Sequence, residues 1–194
     1  MFFDTVGIAW QYEAQGYECT YRLTLEPGTF PYLPDFWFPD LGQFGEVKGT
    51  LTHLQLTRLL NAAAYLSSAG GSGCHDNGGN DLVVLGNIPA AGHAMLPVIL
   101  HMHKGDLQGS LWDGESDGCG LAYDTFATDY GGDPDIYDGH DPLEIASFLI
   151  RGMWPLSPDR PHYPDAVKTL AKFRPGYNAA LSARFEYGQS GAPR

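Results

Sequence analysis

Three side chains within a short stretch could do chemistry on a phosphate ester: Asp35, Glu46 and Lys48. Glu46 and Lys48 are two apart, so on a strand they share one face while Val47 points to the other. Asp35 follows Pro34 and is separated from Glu46 by ten residues, a length that suits a short hairpin. Two carboxylates that converge this way attract a hard divalent cation, with Mg²⁺ the usual choice and Mn²⁺ its substitute. An adjacent lysine can hold a water or steady the charge that builds on a phosphate. The competing reading is plain: Asp35 as a turn-former, and Glu46 with Lys48 as a solvated pair worth little.

The elements that must position these residues can be read from periodicity and turn signals. Tyr32–Phe38 is aromatic-rich and reads as a strand, Pro39-Asp40-Leu41-Gly42 as a turn, and Phe44–Lys48 as the returning partner. Two shorter strands are expected upstream, over Ile8–Glu13 and Glu18–Leu25. Thr52 and Gln55 form a T-x-x-Q capping box that opens a helix. Leu56, Leu59, Leu60 and Ala63 then recur at helical spacing and predict an apolar stripe. Leu82–Leu85 is wholly apolar, as in a strand covered on both faces, and Leu96–Met102 is a further strand. Residues 104–141 read as loops, with short strands at Leu111-Trp112 and Leu121–Phe126. Helices are expected over Leu143–Arg151, over Pro164–Phe173 and, beyond a break at Pro175, over Tyr177–Tyr187.

Composition sets the outer bounds. The chain has 194 residues, 43% of them hydrophobic and 13% aromatic, enough for a substantial core. Its 25 glycines and 14 prolines predict a loop-rich periphery. No apolar run approaches a membrane span, Met1-Phe2-Phe3-Asp4 lacks a signal-peptide start, and three scattered cysteines argue against a disulfide framework. A soluble, cytoplasmic protein with no membrane partner is the expectation. The net charge is −12. It divides into −6 over residues 1–100, −10 over 101–144 and +4 over 145–194. That balance opposes strong sequence-independent DNA binding, but it leaves room for a local basic face, such as Lys168, Lys172, Arg174 and Arg184.

The pattern Pro34-Asp35, then Glu46-Val47-Lys48, resembles the motif of the PD-(D/E)XK, or restriction-endonuclease-like, nucleases. Phe2-Phe3-Asp4-Thr5-Val6-Gly7-Ile8-Ala9-Trp10, Tyr32-Leu33-Pro34-Asp35-Phe36-Trp37-Phe38-Pro39 and Phe185-Glu186 are similar to a group of phage and bacterial proteins of that type. The likeness covers residues 1–66, 82–89 and 177–188. It implies an αβββαβ core with a mixed sheet, and a Mg²⁺-dependent nuclease (a hydrolase and phosphodiesterase) acting on nucleic acid, with DNA the expected substrate. It further implies Asp35 and Glu46 as metal ligands and Lys48 as the residue that positions or activates water. Members of the group begin with a longer helix that carries a further acidic ligand. This chain begins at Met1, so a shortened first helix is expected, and the missing acid leaves three alternatives: a truncated reading frame, a substitute ligand such as Glu18, or a site that no longer works. Gln55 is a polar residue of the next helix that could face the site. The domain reading is a nuclease-like core over 1–102 and an acidic, loop-rich and helical extension over 103–194, packed on that core.

Two other readings stay open. One is a catalytically inactive module of the same fold that binds nucleic acid or a protein partner. The other is a structural protein whose acidic segment, residues 106–144, binds Ca²⁺ through Asp133-x-Asp135-x-x-Asp138-Gly139, a spacing that misses the EF-hand loop. Zinc at Cys74-His75, His101, His103 and Cys119 is disfavoured, because only His101-x-His103 is closely paired.

Overall fold

In chain order, a one-turn helix α1 (Phe2–Val6) leads into strands β1 (Gln11–Tyr12), β2 (Tyr17–Thr20), β3 (Thr29–Tyr32), β4 (Phe36–Phe38) and β5 (Gln43–Val47). Helix α2 (His53–Ala69) follows, then strands β6 (Leu82–Leu85), β7 (Val98–His103), β8 (Asp106–Leu111) and β9 (Phe126–Thr128), and helix α3 (Tyr163–Ser182). The computed structural model describes residues 1–23, 28–69, 80–89, 95–103, 106–114, 126–128 and 163–182. The expected helix at Leu143–Arg151, Cys74, His75, Cys119, Arg184, Phe185, Glu186 and the Asp133–Asp141 run lie outside these residues.

Seven strands form one mixed sheet in the order β1-β4-β5-β6-β7-β8-β9, and β2 and β3 pair separately as a small hairpin. Among the described strands only β5 and β6 run parallel, with Phe44 opposite Leu82 and Glu46 opposite Val84. A parallel pair requires a crossover, and α2 is that crossover. Its start is the capping box read from the sequence: Thr52 N–H and Oγ1–H both donate to Gln55 Oε1 (2.9 and 3.0 Å).

Strand alternation sorts the core into two layers. Leu82 and Val84 of β6 join Phe44, Val98 and Leu100 beneath Leu56, Leu59, Leu60 and Ala63 of α2. Val83 and Leu85 point the other way, into a layer made with Phe38, Ile99, Trp112, Phe3 of α1 and Leu170, Phe173 and Tyr177 of α3. The fold is therefore α/β, a mixed sheet with helices on both faces. Among the described residues no helix is long and apolar enough to cross a membrane.

The hairpin β2–β3 sits on α2. Cys19 and Phe30 pack against Ala62, and Asn61 Oδ1 accepts the backbone N–H groups of Arg22 and Leu23, each at 2.7 Å.

Several expectations are corrected. Tyr32–Phe38 is two strands: Tyr32 pairs with Tyr17 in the small hairpin and Phe36 with Gly45 in the main sheet, and Pro34 between them has no N–H for either ladder. Tyr32 ends β3, and β4 starts at Phe36. The boundary expected at residue 102 falls inside β7. The segment Asp106–Leu111 was expected as loop, yet it pairs with β7 along its whole length, and α3 completes the second core layer. Residues beyond 102 thus share the sheet and core of those before it. Pro175 does not break the last helix, which runs continuously through it. Packing outweighs the lost backbone bond. Gly176 lies so close to α1 that an added Cβ would sit 2.8 Å from Phe2 and Val6, and the neighbouring Tyr177 is buried.

Candidate functional site

The hairpin β4–β5 sets the register. Phe36 faces Gly45, Trp37 faces Phe44 and Phe38 faces Gln43, so one further step places Asp35 opposite Glu46. Two features hold this register. Gly42 adopts φ 66° in the turn, where a left-handed residue is needed. Gly45 lets the strands close, since a Cβ there would stand 2.7 Å from the Phe38 ring. Glu46 shares its face with Phe44 and so lies on the α2 side of the sheet, and alternation puts Lys48 on the same side.

Chain order along the parallel pair sets the location. Glu46 and Lys48 stand at the carboxyl ends of β5 and β6, with Lys48 N–H continuing the ladder to Leu85 O at 2.9 Å. That end of a parallel pair is where open α/β sheets place their ligands.

Glu46 is 3% exposed and holds two partners. Lys48 Nζ forms an ion pair with Oε1, and the Tyr32 hydroxyl donates to Oε2 at 2.9 Å. Burial raises the Glu46 pKa above the usual glutamate value. The Lys48 hydrogen bond opposes this, the Asp35 charge adds to it, and the Lys48 charge and Tyr32 hydrogen bond lower it. The Tyr32 phenol is held well above the usual tyrosine range, first by burial and then by the Glu46 charge. Asp35 is half-buried. Its Oδ2 accepts the Val47 N–H at 2.7 Å, and its backbone carbonyl accepts the Glu13 N–H at 2.9 Å. The Asp35 side chain thereby takes over as ladder acceptor one residue before β4 begins.

Asp35, Glu46 and Lys48 are therefore brought together. Glu18 is not. On β2 it pairs with Pro31, on the opposite face of the hairpin from Tyr17, Cys19, Phe30 and Tyr32. It is exposed there and accepts from Thr29 Oγ1 at 3.0 Å. Gln55 does not face the site either, because its side-chain oxygen is used by the capping box. Among the described residues no group of three or more His, Cys, Asp or Glu side chains converges as a metal cluster.

Tyr32 is the site residue that sequence reading missed. Its signal was present, three positions before Asp35, but a tyrosine at the head of an aromatic strand reads as core.

No family model, curated protein or solved structure matches the chain.

Proposed function

We propose that this protein is a metal-dependent nuclease of the PD-(D/E)XK type, hydrolysing phosphodiester bonds, with DNA as its substrate. The observation that carries the reading is Glu46. A carboxylate buried to 3% exposure beside a second carboxylate is a costly arrangement, and such arrangements concentrate at working sites. The donor set suits Mg²⁺, which is commonly held by one or two carboxylates together with water and substrate phosphate oxygens. Asp35 and Glu46 would hold the cation. A bound Mg²⁺ would supply Lewis-acid polarisation of the phosphoryl group and lower the pKa of water.

The chain's own residues do the rest. Lys48, now paired with Glu46, turns its ammonium toward the attacking water or the developing phosphate charge. Tyr32 and the floor formed by α2 keep bulk water from the inner side of Glu46. The αβββαβ order is compatible with α1, then β1, β4 and β5 of the main sheet entering α2 and β6, with the β2–β3 hairpin inserted between β1 and β4 and α1 reduced to one turn.

The net charge of −12 and the ion pair already made by Glu46 favour a second reading, a non-cleaving module of this fold that binds nucleic acid or a protein partner. Calorimetric titration of Mg²⁺ and Mn²⁺, with plasmid and single-strand cleavage on the same samples, separates the two. The nuclease reading expects binding in the parent and cleavage that falls at least about 100-fold in Asp35→Ala and Glu46→Ala, the scale of losing a charge-stabilising group. Cleavage that persists in both variants refutes it. Absence of both metal binding and cleavage in the parent moves the site to the second reading.

A further inference from the structure

Glu46 has two carboxylate oxygens, and the fold treats them differently. Oε1 faces Lys48, on the same strand face and toward the end of the sheet. Oε2 is taken from the inner side by the Tyr32 hydroxyl at 2.9 Å. That hydroxyl is not loosely placed. Tyr32 is the last residue of β3, in register with Tyr17. The hairpin that carries it is fixed to α2 twice, by Cys19 and Phe30 on Ala62 and by Asn61 on the N–H groups of Arg22 and Leu23. Only Leu33 and Pro34 separate Tyr32 from Asp35, so one short segment carries both the phenol that donates to Glu46 and the carboxylate that sits opposite it in the ladder.

We infer that Tyr32 is a positioning residue that limits Glu46 to one-oxygen coordination and thereby selects Mg²⁺ over Ca²⁺. The inference rests on the reading of Asp35 and Glu46 as metal ligands. By occupying Oε2, the phenol leaves Oε1 as the oxygen that Glu46 offers to a cation once Lys48, which pairs with Oε1 in the metal-free protein, turns toward water or phosphate as proposed above. Single oxygens from two carboxylates suit the strict octahedron of Mg²⁺, which keeps its remaining positions for water and phosphate oxygens. Ca²⁺ takes six to eight oxygens at longer range and is well served by a carboxylate that binds through both. A glutamate with both oxygens available suits Ca²⁺ better.

The test compares the parent with Tyr32→Phe, Tyr17→Phe and Glu46→Gln, titrating MgCl₂ and CaCl₂ by calorimetry. Tyr17→Phe removes the same atom from the ring that faces Tyr32 across the hairpin and packs on Phe44. In Tyr32→Phe the affinity for Mg²⁺ relative to Ca²⁺ falls about tenfold, the scale of one hydrogen bond to a charged group, while Tyr17→Phe keeps the parental ratio. A Tyr32→Phe protein whose two affinities hold, or fall together at constant ratio, overturns the assignment and leaves Tyr32 as hairpin packing. If metal binding is instead absent in the parent or unchanged in Glu46→Gln, the metal-site reading itself fails and this inference falls with it.

Discussion

The two faces of the main sheet are built from different materials. The face toward α1 and α3 is aromatic. Phe3 stands 4.8 Å from Phe38, Phe38 5.7 Å from Trp112, and Trp112 5.4 Å from Phe173, measured between ring centroids. A polar group within this layer, the Trp112 indole N–H, is matched by Gln43 Oε1 at 2.9 Å. The face toward α2 carries buried polar groups throughout its apolar layer. Ser67 donates to Asp81 at 2.8 Å and accepts from Met102 N–H at 2.9 Å, Asn61 holds the hairpin, and Glu46 lies under Tyr32. Ring packing is rigid and tolerant of pH. Buried polar groups fix geometry only while each is satisfied. On the proposed function, one face is the support and the other the working side, and substitutions on the two should separate stability from ligand binding.

The largest expected effect is on the aromatic side. Phe173 is fully buried between Phe2 and Trp112, so Phe173→Ala is expected to lose about 3–5 kcal/mol, as for other buried aromatics cut to alanine. Chemical denaturation reads that loss. Metal affinity of the folded fraction should stay parental, because Glu46 lies across the sheet. A folded Phe173→Ala protein with strongly weakened metal binding would show that the faces are coupled.

On the working side the expected effect is smaller and of opposite sign. The Glu46 pKa is raised in the folded protein, so the folded state favours the protonated carboxyl. The stability that Glu46 contributes is complete below the unfolded value and is lost as pH rises through the higher folded value. Glu46→Gln removes that loss while keeping an acceptor for Tyr32. Without metal, its melting temperature relative to the parent should rise as pH climbs from about 4.5 toward neutrality. Mg²⁺ should then stabilise the parent and not the variant. A difference between the two that stays flat with pH would mean that the carboxyl carries no folding cost.

What the sequence made legible follows the same division. The site triad could be read because alternation and a ten-residue spacing are local rules, and α2 because its cap and its stripe agree. The limits appear where tertiary contacts decide. Tyr32 belongs to a different sheet from Phe36, a break that Pro34 hints at without locating. Asp106–Leu111 has few strand-forming side chains and becomes a strand because β7 offers it a full ladder. Pro175 stays helical because Gly176 and Tyr177 are pressed against α1. Glu18, attractive as an acid near the site in sequence, faces outward by one step of the pleat.

The last effect concerns how firmly the hairpin is held on the working face. Cys19 is fully buried beneath it, and burial pushes its thiol pKa up to about 11. At pH 8 the native thiol is both covered and protonated, so alkylation waits for the hairpin to lift from α2. Asn61→Ala removes the acceptor of two backbone N–H groups, and each lost bond is worth on the order of 1 kcal/mol. Labelling of Cys19 by iodoacetamide, followed by peptide mass spectrometry, should then run at least about tenfold faster than in the parent. Phe173→Ala should accelerate it only as far as global unfolding does, which amide exchange in β6 and β7 reports on the same samples. If Cys19 in Asn61→Ala labels no faster than those strands exchange, the hairpin lifts only when the whole sheet opens, and its hold on Glu46 is as firm as the core itself.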